Sequence, residues 1–141
     1  MNSSIDLRRL SDYFAPADVE WKPITISKRT QKGLAAAYIT ARAIMDRLDQ
    51  VCGPANWRNE FGPGPDGGVL CTIYIRVRRE DGTEEWVGKT DGAENTDIEA
   101  VKGGLSSAMR RAAVHWGIGR YLYDLPQQWV PVDERRRGKR S

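Results

Sequence analysis

Residues 69–79, Val-Leu-Cys-Thr-Ile-Tyr-Ile-Arg-Val-Arg-Arg, alternate in the way of a strand buried on one face only. Val69, Cys71, Ile73, Ile75 and Val77 fall on one side, and Thr72, Tyr74, Arg76 and Arg78 on the other. Such a strand needs partners. Trp57 to Phe61 supplies one, after which the glycine- and proline-rich stretch 62–68 cannot continue a strand. Asp81-Gly82 reads as a two-residue hairpin turn. That turn places Val77 opposite Trp86 on the apolar face, and on the polar face sets Arg78 opposite Glu85 and Tyr74 opposite Lys89. The predicted meander has a core face and a face bearing Tyr74, Arg76, Arg78 and Lys89.

Helical patterns flank the meander. Leu7, Leu10 and Phe14 suit a short amphipathic helix over 4–14, ended by Pro16. Trp21-Lys22-Pro23-Ile24 reads as an extended connector whose tryptophan anchors it to the core. From Thr30 to Cys52, Leu34, Tyr38, Ala41, Met45, Leu48 and Cys52 recur at steps of four and three, so one long helix is predicted, stopped by Gly53-Pro54. A second runs from Asp97 to Trp116 behind the capping box Thr96-Asp97-Ile98-Glu99. Its apolar stripe is Ile98, Val101, Leu105, Ala108, Met109, Ala112 and Trp116, and Lys102, Ser106 and Arg110 make a polar row with Ser107 and Arg111 beside it. Gly103-Gly104 within this helix implies a close backbone approach. The fold class is α+β: a helix, a three-stranded antiparallel β meander and a long helix. Residues 1–18 form an N-terminal helical segment, 19–131 the domain, and 132–141 a basic flexible tail.

Composition narrows the function. No apolar run approaches a membrane span, and Asp6, Arg8, Arg9 and Asp12 break up any leader, so a cytoplasmic protein is expected. Cys52, Cys71 and the single His115 are too few for a disulfide scaffold or a structural zinc site, and no cofactor is expected. Net charge is +3, yet residues 133–141 hold 5 of the 22 basic and 2 of the 19 acidic side chains, leaving 17 of each in residues 1–132. A nucleic-acid surface must therefore come from charges sorted onto one face.

Catalytic chemistry finds little support. His115, in Val114-His115-Trp116, reads as a satisfied, partly buried histidine with no nucleophile to serve. The glycines of 62–68 and Gly117-Ile118-Gly119 lack the features of phosphate loops. Glu84, Glu85, Asp91, Glu94, Asp97 and Glu99 are the one enzymatic lead, a magnesium-dependent nuclease being the alternative they carry. Cross-strand pairing of Glu85 and the helix N-terminus at Asp97 and Glu99 give these carboxylates structural roles instead. Arginine, lysine and tyrosine on a sheet face, beside Lys102, Arg110 and Arg111 on a helix, combine phosphate neutralisation with stacking surfaces. A monomeric RNA-binding domain is the alternative within that class.

Two stretches carry a resemblance. Tyr38-Ile39-Thr40-Ala41-Arg42-Ala43-Ile44-Met45-Asp46-Arg47-Leu48, with Gly53 and Trp57, resembles the first long helix of the Rad fifty-two single-strand annealing family. Residues 99–113, Glu-Ala-Val-Lys-Gly-Gly-Leu-Ser-Ser-Ala-Met-Arg-Arg-Ala-Ala, resemble its second. The extension from Trp116 to Pro126, with Trp129-Val130, is most similar to the bacterial and phage branch that includes DNA damage response end-binding proteins. The resemblance spans roughly residues 19–131.

It implies a ring-forming, ATP-independent homo-oligomer that binds single-stranded DNA in a basic groove, protects 3′ ends and anneals complementary strands in repair or recombination. Arg110 and Arg111 fall on the family's basic pair. Arg42 lies within one position of a basic contact in the first helix, and Tyr74, Arg76, Arg78 and Lys89 belong to the hairpin that resembles the groove wall. Val114 stands where the family has a further basic residue, which implies fewer groove contacts. Eukaryotic members carry a C-terminal half that recruits a recombinase and a single-strand binding protein; the expectation here is a module without it.

Overall fold

The computed structural model describes residues 6–27, 32–93, 100–126 and 128–131, with side chains for all of these except 22–27, 100–104, 128, 130 and 131. In chain order the elements are β1 (Val19–Ser27), β2 (Lys32–Ile39), α1 (Ala41–Cys52), β3 (Trp57–Pro63), β4 (Val69–Arg78), β5 (Glu84–Ala93), α2 (Ala100–His115) and β6 (Gln128–Pro131). Short 3₁₀ turns lie at Leu7–Ser11, Pro16–Asp18, Pro65–Gly67 and Arg120–Asp124. The class is α+β, with two antiparallel three-stranded sheets ordered β1-β2-β6 and β3-β4-β5.

The meander is the expected one, and its inner face is the centre of the core. Cys71, Ile73 and Ile75 of β4 are fully buried, as the alternation requires. Ala108, Met109, Ala112 and Ala113 of α2 and Ile44 and Leu48 of α1 join the same apolar cluster. Each large aliphatic side chain so buried contributes about 1.5–3 kcal/mol. The Trp116 indole N–H donates to the Ile73 carbonyl at 2.9 Å, tying the end of α2 to the middle of β4.

The first predicted helix is corrected. Residues 32–39 are strand, and the helix begins only at Ala41. Thr40 caps it, its hydroxyl accepting from the Ala43 amide at 3.1 Å, and Gly53, at φ +90°, ends it. Leu34 and Tyr38, four apart, share a face of a strand as readily as a face of a helix, and three alanines between them tip local propensity towards helix. Pairing with β1 on one edge and β6 on the other overrides that propensity. Gly33, Ala35 and Ile39 turn inward, in strand alternation.

Three further expectations change. The extended stretch at Trp21 is a paired strand rather than a connector, and Trp21 is 42% exposed rather than anchored in the core. The segment 4–14 is helical only as the 3₁₀ turn Leu7–Ser11, whose first carboxylate, Asp6, accepts from the Arg8 amide; residues 4 and 5 lie outside the described residues. Arg47 of α1 holds this segment by donating to the carbonyls of Leu10, Asp12 and Tyr13 at 3.2, 2.7 and 3.2 Å.

The β4–β5 hairpin is one residue out of the expected register. The Gly82 amide bonds to Arg79 O, Gly82 takes φ +90°, and the Arg79 amide bonds to Thr83 O. That is a three-residue loop, a type I turn followed by a left-handed residue, in place of a two-residue turn. Val77 consequently pairs with Glu85, Arg76 with Trp86, and Tyr74 with Gly88. A slip of one residue sends every side chain of β5 to the opposite face. Trp86 therefore leaves the core face, and Lys89 joins it.

Helix α2 closes with Gly117 at φ +91°, the Ile118 amide bonding to Ala113 O and the Gly117 amide to Val114 O, the paired bonds of a Schellman cap. The predicted capping box at residues 96–99, the packing of Gly103-Gly104 and the basic tail lie outside the described residues.

Candidate nucleic-acid interface

The outer face of β3-β4-β5 carries Tyr74 and Arg76 as expected, joined by two residues the sequence did not single out. Arg58 of β3 lies over the Tyr74 ring at 4.1 Å and 5.5 Å from the Trp86 ring centre, while Arg76 lies 5.6 Å from the same centre. The Tyr74 ring crosses Gly88, where a Cβ would stand 2.6 Å from a ring carbon. The result is a ladder of aromatic and guanidinium planes with Trp86 39% exposed. Its charges are largely matched. Arg58 pairs with Glu60, and Arg76 donates to Asn56 Oδ1 and lies 3.9 Å from Glu84. Arg78 is exposed across from Glu84.

Lys89 is not on that face. It pairs with Ile73, and its amine donates to the His115 carbonyl at 3.2 Å and lies 4.5 Å from the Trp116 ring centre. A cation there complements the negative end of α2. His115 is satisfied but not buried, its Nε2 lying 2.8 Å from Asp91 Oδ2. Burial works to raise the Asp91 pKa, but hydrogen bonds from His115 and the Gly92 amide, with Arg111 nearby, hold it below the usual value.

The acidic lead loses its described members to basic side chains: Glu84 lies near Arg76, Glu85 pairs with Arg79, and Asp91 with His115. Among the described residues no three metal-ligating side chains gather. Glu94, Asp97 and Glu99 lie outside the described residues.

On α2 the basic pair divides. Arg111 is exposed on the flank towards Asp91. Arg110 is half-buried on the other flank, its guanidinium 5.0 Å from the Tyr38 ring centre and donating to Ser107 Oγ at 3.1 Å. Burial lowers its pKa and Arg111 adds a like charge, while Tyr38, Tyr123 and Glu20 act in the opposite direction; among the described residues no carboxylate lies within ion-pair distance. Beside it, a cleft of about 80 Å³ opens between β2, α2 and the turn Arg120–Asp124. Val114, Ile118 and Leu122 form its apolar wall, and Tyr38 and Tyr123 flank its mouth. Arg42 is exposed on α1, and the side chain of Lys102 lies outside those described.

The sequence does not pick out Tyr38, Tyr123, Arg58 and Trp86 for these surfaces. Helical spacing hides Tyr38, and the two-residue hairpin register puts Trp86 on the opposite face. Tyr123 and Arg58 carry no local signal. The repeat of tyrosines in Tyr121-Leu122-Tyr123 was the nearest hint.

Comparison with known proteins gives a consistent result. Residues 7–140 match the family described as Rad52/22 family double-strand break repair protein. A protein of Deinococcus radiodurans named single-stranded DNA-binding protein DdrA is 40% identical over 131 residues, 93% of this chain and 61% of its own length. Its namesake in Deinococcus deserti is 40% identical over 130 residues, 92% of this chain and 62% of its own. The chain thus spans about three-fifths of the length of these curated relatives.

Proposed function

This chain belongs to the Rad52/22 family of double-strand break repair proteins, and on that premise we propose that it is a non-catalytic protein that binds single-stranded DNA. In this reading it assembles into a homo-oligomeric ring, works in the cytoplasm on nucleoid DNA, and protects ends, anneals complementary strands, or both, without ATP. The names of its Deinococcus relatives support the ligand.

The observation that carries the reading is Arg110, a half-buried cation that no carboxylate among the described residues pairs with directly, Glu20 acting on it only at longer range. Phosphate oxygens supply a direct counter-charge. Arg111 on the neighbouring flank extends the phosphate track, with Lys102 of α2 and Arg42 of α1 completing the basic set. Tyr74 and Trp86 on the outer sheet face, held among Arg58, Arg76 and Arg78, offer surfaces on which unpaired bases stack. Lys89, engaged at the end of α2, is left out of this surface. Annealing needs no hydrolysis, because base pairing itself drives it.

The test incubates the protein with a labelled oligonucleotide and its complement, with magnesium and without ATP, while light scattering reports mass. A high-mass assembly that speeds duplex formation and leaves the strands uncut is the expected result. Binding without annealing narrows the function to end protection. Shortened strands, or a monomer that prefers RNA, overturn the proposal. Arg110→Ala/Arg111→Ala should weaken binding by on the order of tenfold and lower the salt slope by about 2, with the assembly intact.

A further inference from the structure

From the surroundings of Arg110 we infer that the cleft between β2, α2 and the turn Arg120–Asp124 is a pocket for one unstacked base of the bound strand. The inference rests on the single-stranded DNA reading and adds a base-binding subsite to it.

A guanidinium carries five N–H donors. That of Arg110 spends one on Ser107 Oγ and lies 5.0 Å from the Tyr38 ring centre, so among the described residues its other donors are left for a ligand. Phosphate alone would ask for nothing more. Yet the adjoining wall is apolar, with Val114, Ile118 and Leu122 exposing no charge to the cleft, and such a wall gains nothing from a phosphate. Tyr123, 70% exposed, stands at the mouth, where its ring can cover an entering base. An anion-binding donor set, an apolar slot and an aromatic rim together match one nucleotide: phosphate on Arg110, ring edge in the slot, Tyr123 against the base.

The test measures fluorescence anisotropy of a labelled oligo(dT) and of the same strand with alternate residues made abasic, at matched salt. Three proteins are compared: the parent, Tyr123→Ala, which alters an exposed side chain, and Val114→Phe, which fills the slot without changing charge. The parent is expected to bind oligo(dT) at least fivefold tighter than the abasic strand, and both variants to bring oligo(dT) binding down towards the abasic level. A thermal melt confirms that each variant is folded, and Tyr123→Ala alone decides the matter if Val114→Phe is not. Equal parent affinity for the two strands overturns the pocket and leaves single-stranded DNA binding standing. An unchanged ratio in folded Tyr123→Ala does the same. Failure of the parent to bind either strand overturns both.

Discussion

Arg110 and Arg111 are adjacent in sequence and about 100° apart around a helix, and that rotation separates their chemistry. One reaches a ring and an apolar cleft, the other the exposed flank near Asp91. A run of two arginines is legible in any sequence; its division between two surroundings is not, since it depends on what packs on each flank. The cysteines show the same dependence. Cys52 and Cys71 sit in apolar stretches, and burial pushes both thiols up to about 11. With so little thiolate at pH 8, neither should react with a thiol-specific reagent over minutes in the folded protein, and both should react at once in guanidinium. Rapid native labelling of either would contradict the burial described.

At the scale of elements, the stop expected at Gly53 is the cap that sequence and structure share. Gly53 and Gly117 stop α1 and α2 in left-handed or extended-positive backbone that a side chain resists. Gly117→Ala should lower stability by about 1–2 kcal/mol in a denaturant melt, because a Cβ there takes on the left-handed strain and would meet Ser11 Oγ at 2.5 Å. The N-terminal 3₁₀ segment has no such local logic. Its attachment rests on Arg47, which also lies 3.9 Å from the Phe14 ring centre, and on the Tyr121 hydroxyl, which accepts from the Phe14 amide at 2.9 Å. Arg47→Ala should cost about 1.5–3 kcal/mol and make residues 6–14 the first site of limited proteolysis. Uniform protection of that segment in the variant would show that the buried Leu10 and the Tyr121 contacts suffice to hold it. The hairpin turn is the instructive miss: Asp81-Gly82 was the right signal, but a left-handed glycine serves a two-residue and a three-residue loop alike, and the two differ by one residue of register.

For the whole molecule, the pair Asp91–His115 joins the last strand of the meander to the end of the helix laid across it. The Asp91 pKa is depressed in the folded state, so the stability it adds is fully present above the ordinary value of 3.8 and is lost as pH falls through the lower folded value. Asp91→Asn should therefore lower the midpoint of unfolding at pH 7 and flatten its decline below pH 4; an identical acid limb would assign that decline to other carboxylates. The α+β class, the meander, the buried stripe of β4, the Gly53 stop of α1 and the basic pair were all determined by the sequence itself. Each is a local periodicity or a backbone preference, carried within a few residues. The sheet β1-β2-β6 was decided only by tertiary structure. Its pairing of Lys32 with Pro131 joins opposite ends of the chain, and residues 34 and 38 satisfy helix and strand equally until those partners arrive. The cleft beside Arg110 follows from the same cause, since its walls come from β2, α2 and the turn after it, and no window along the chain contains all three.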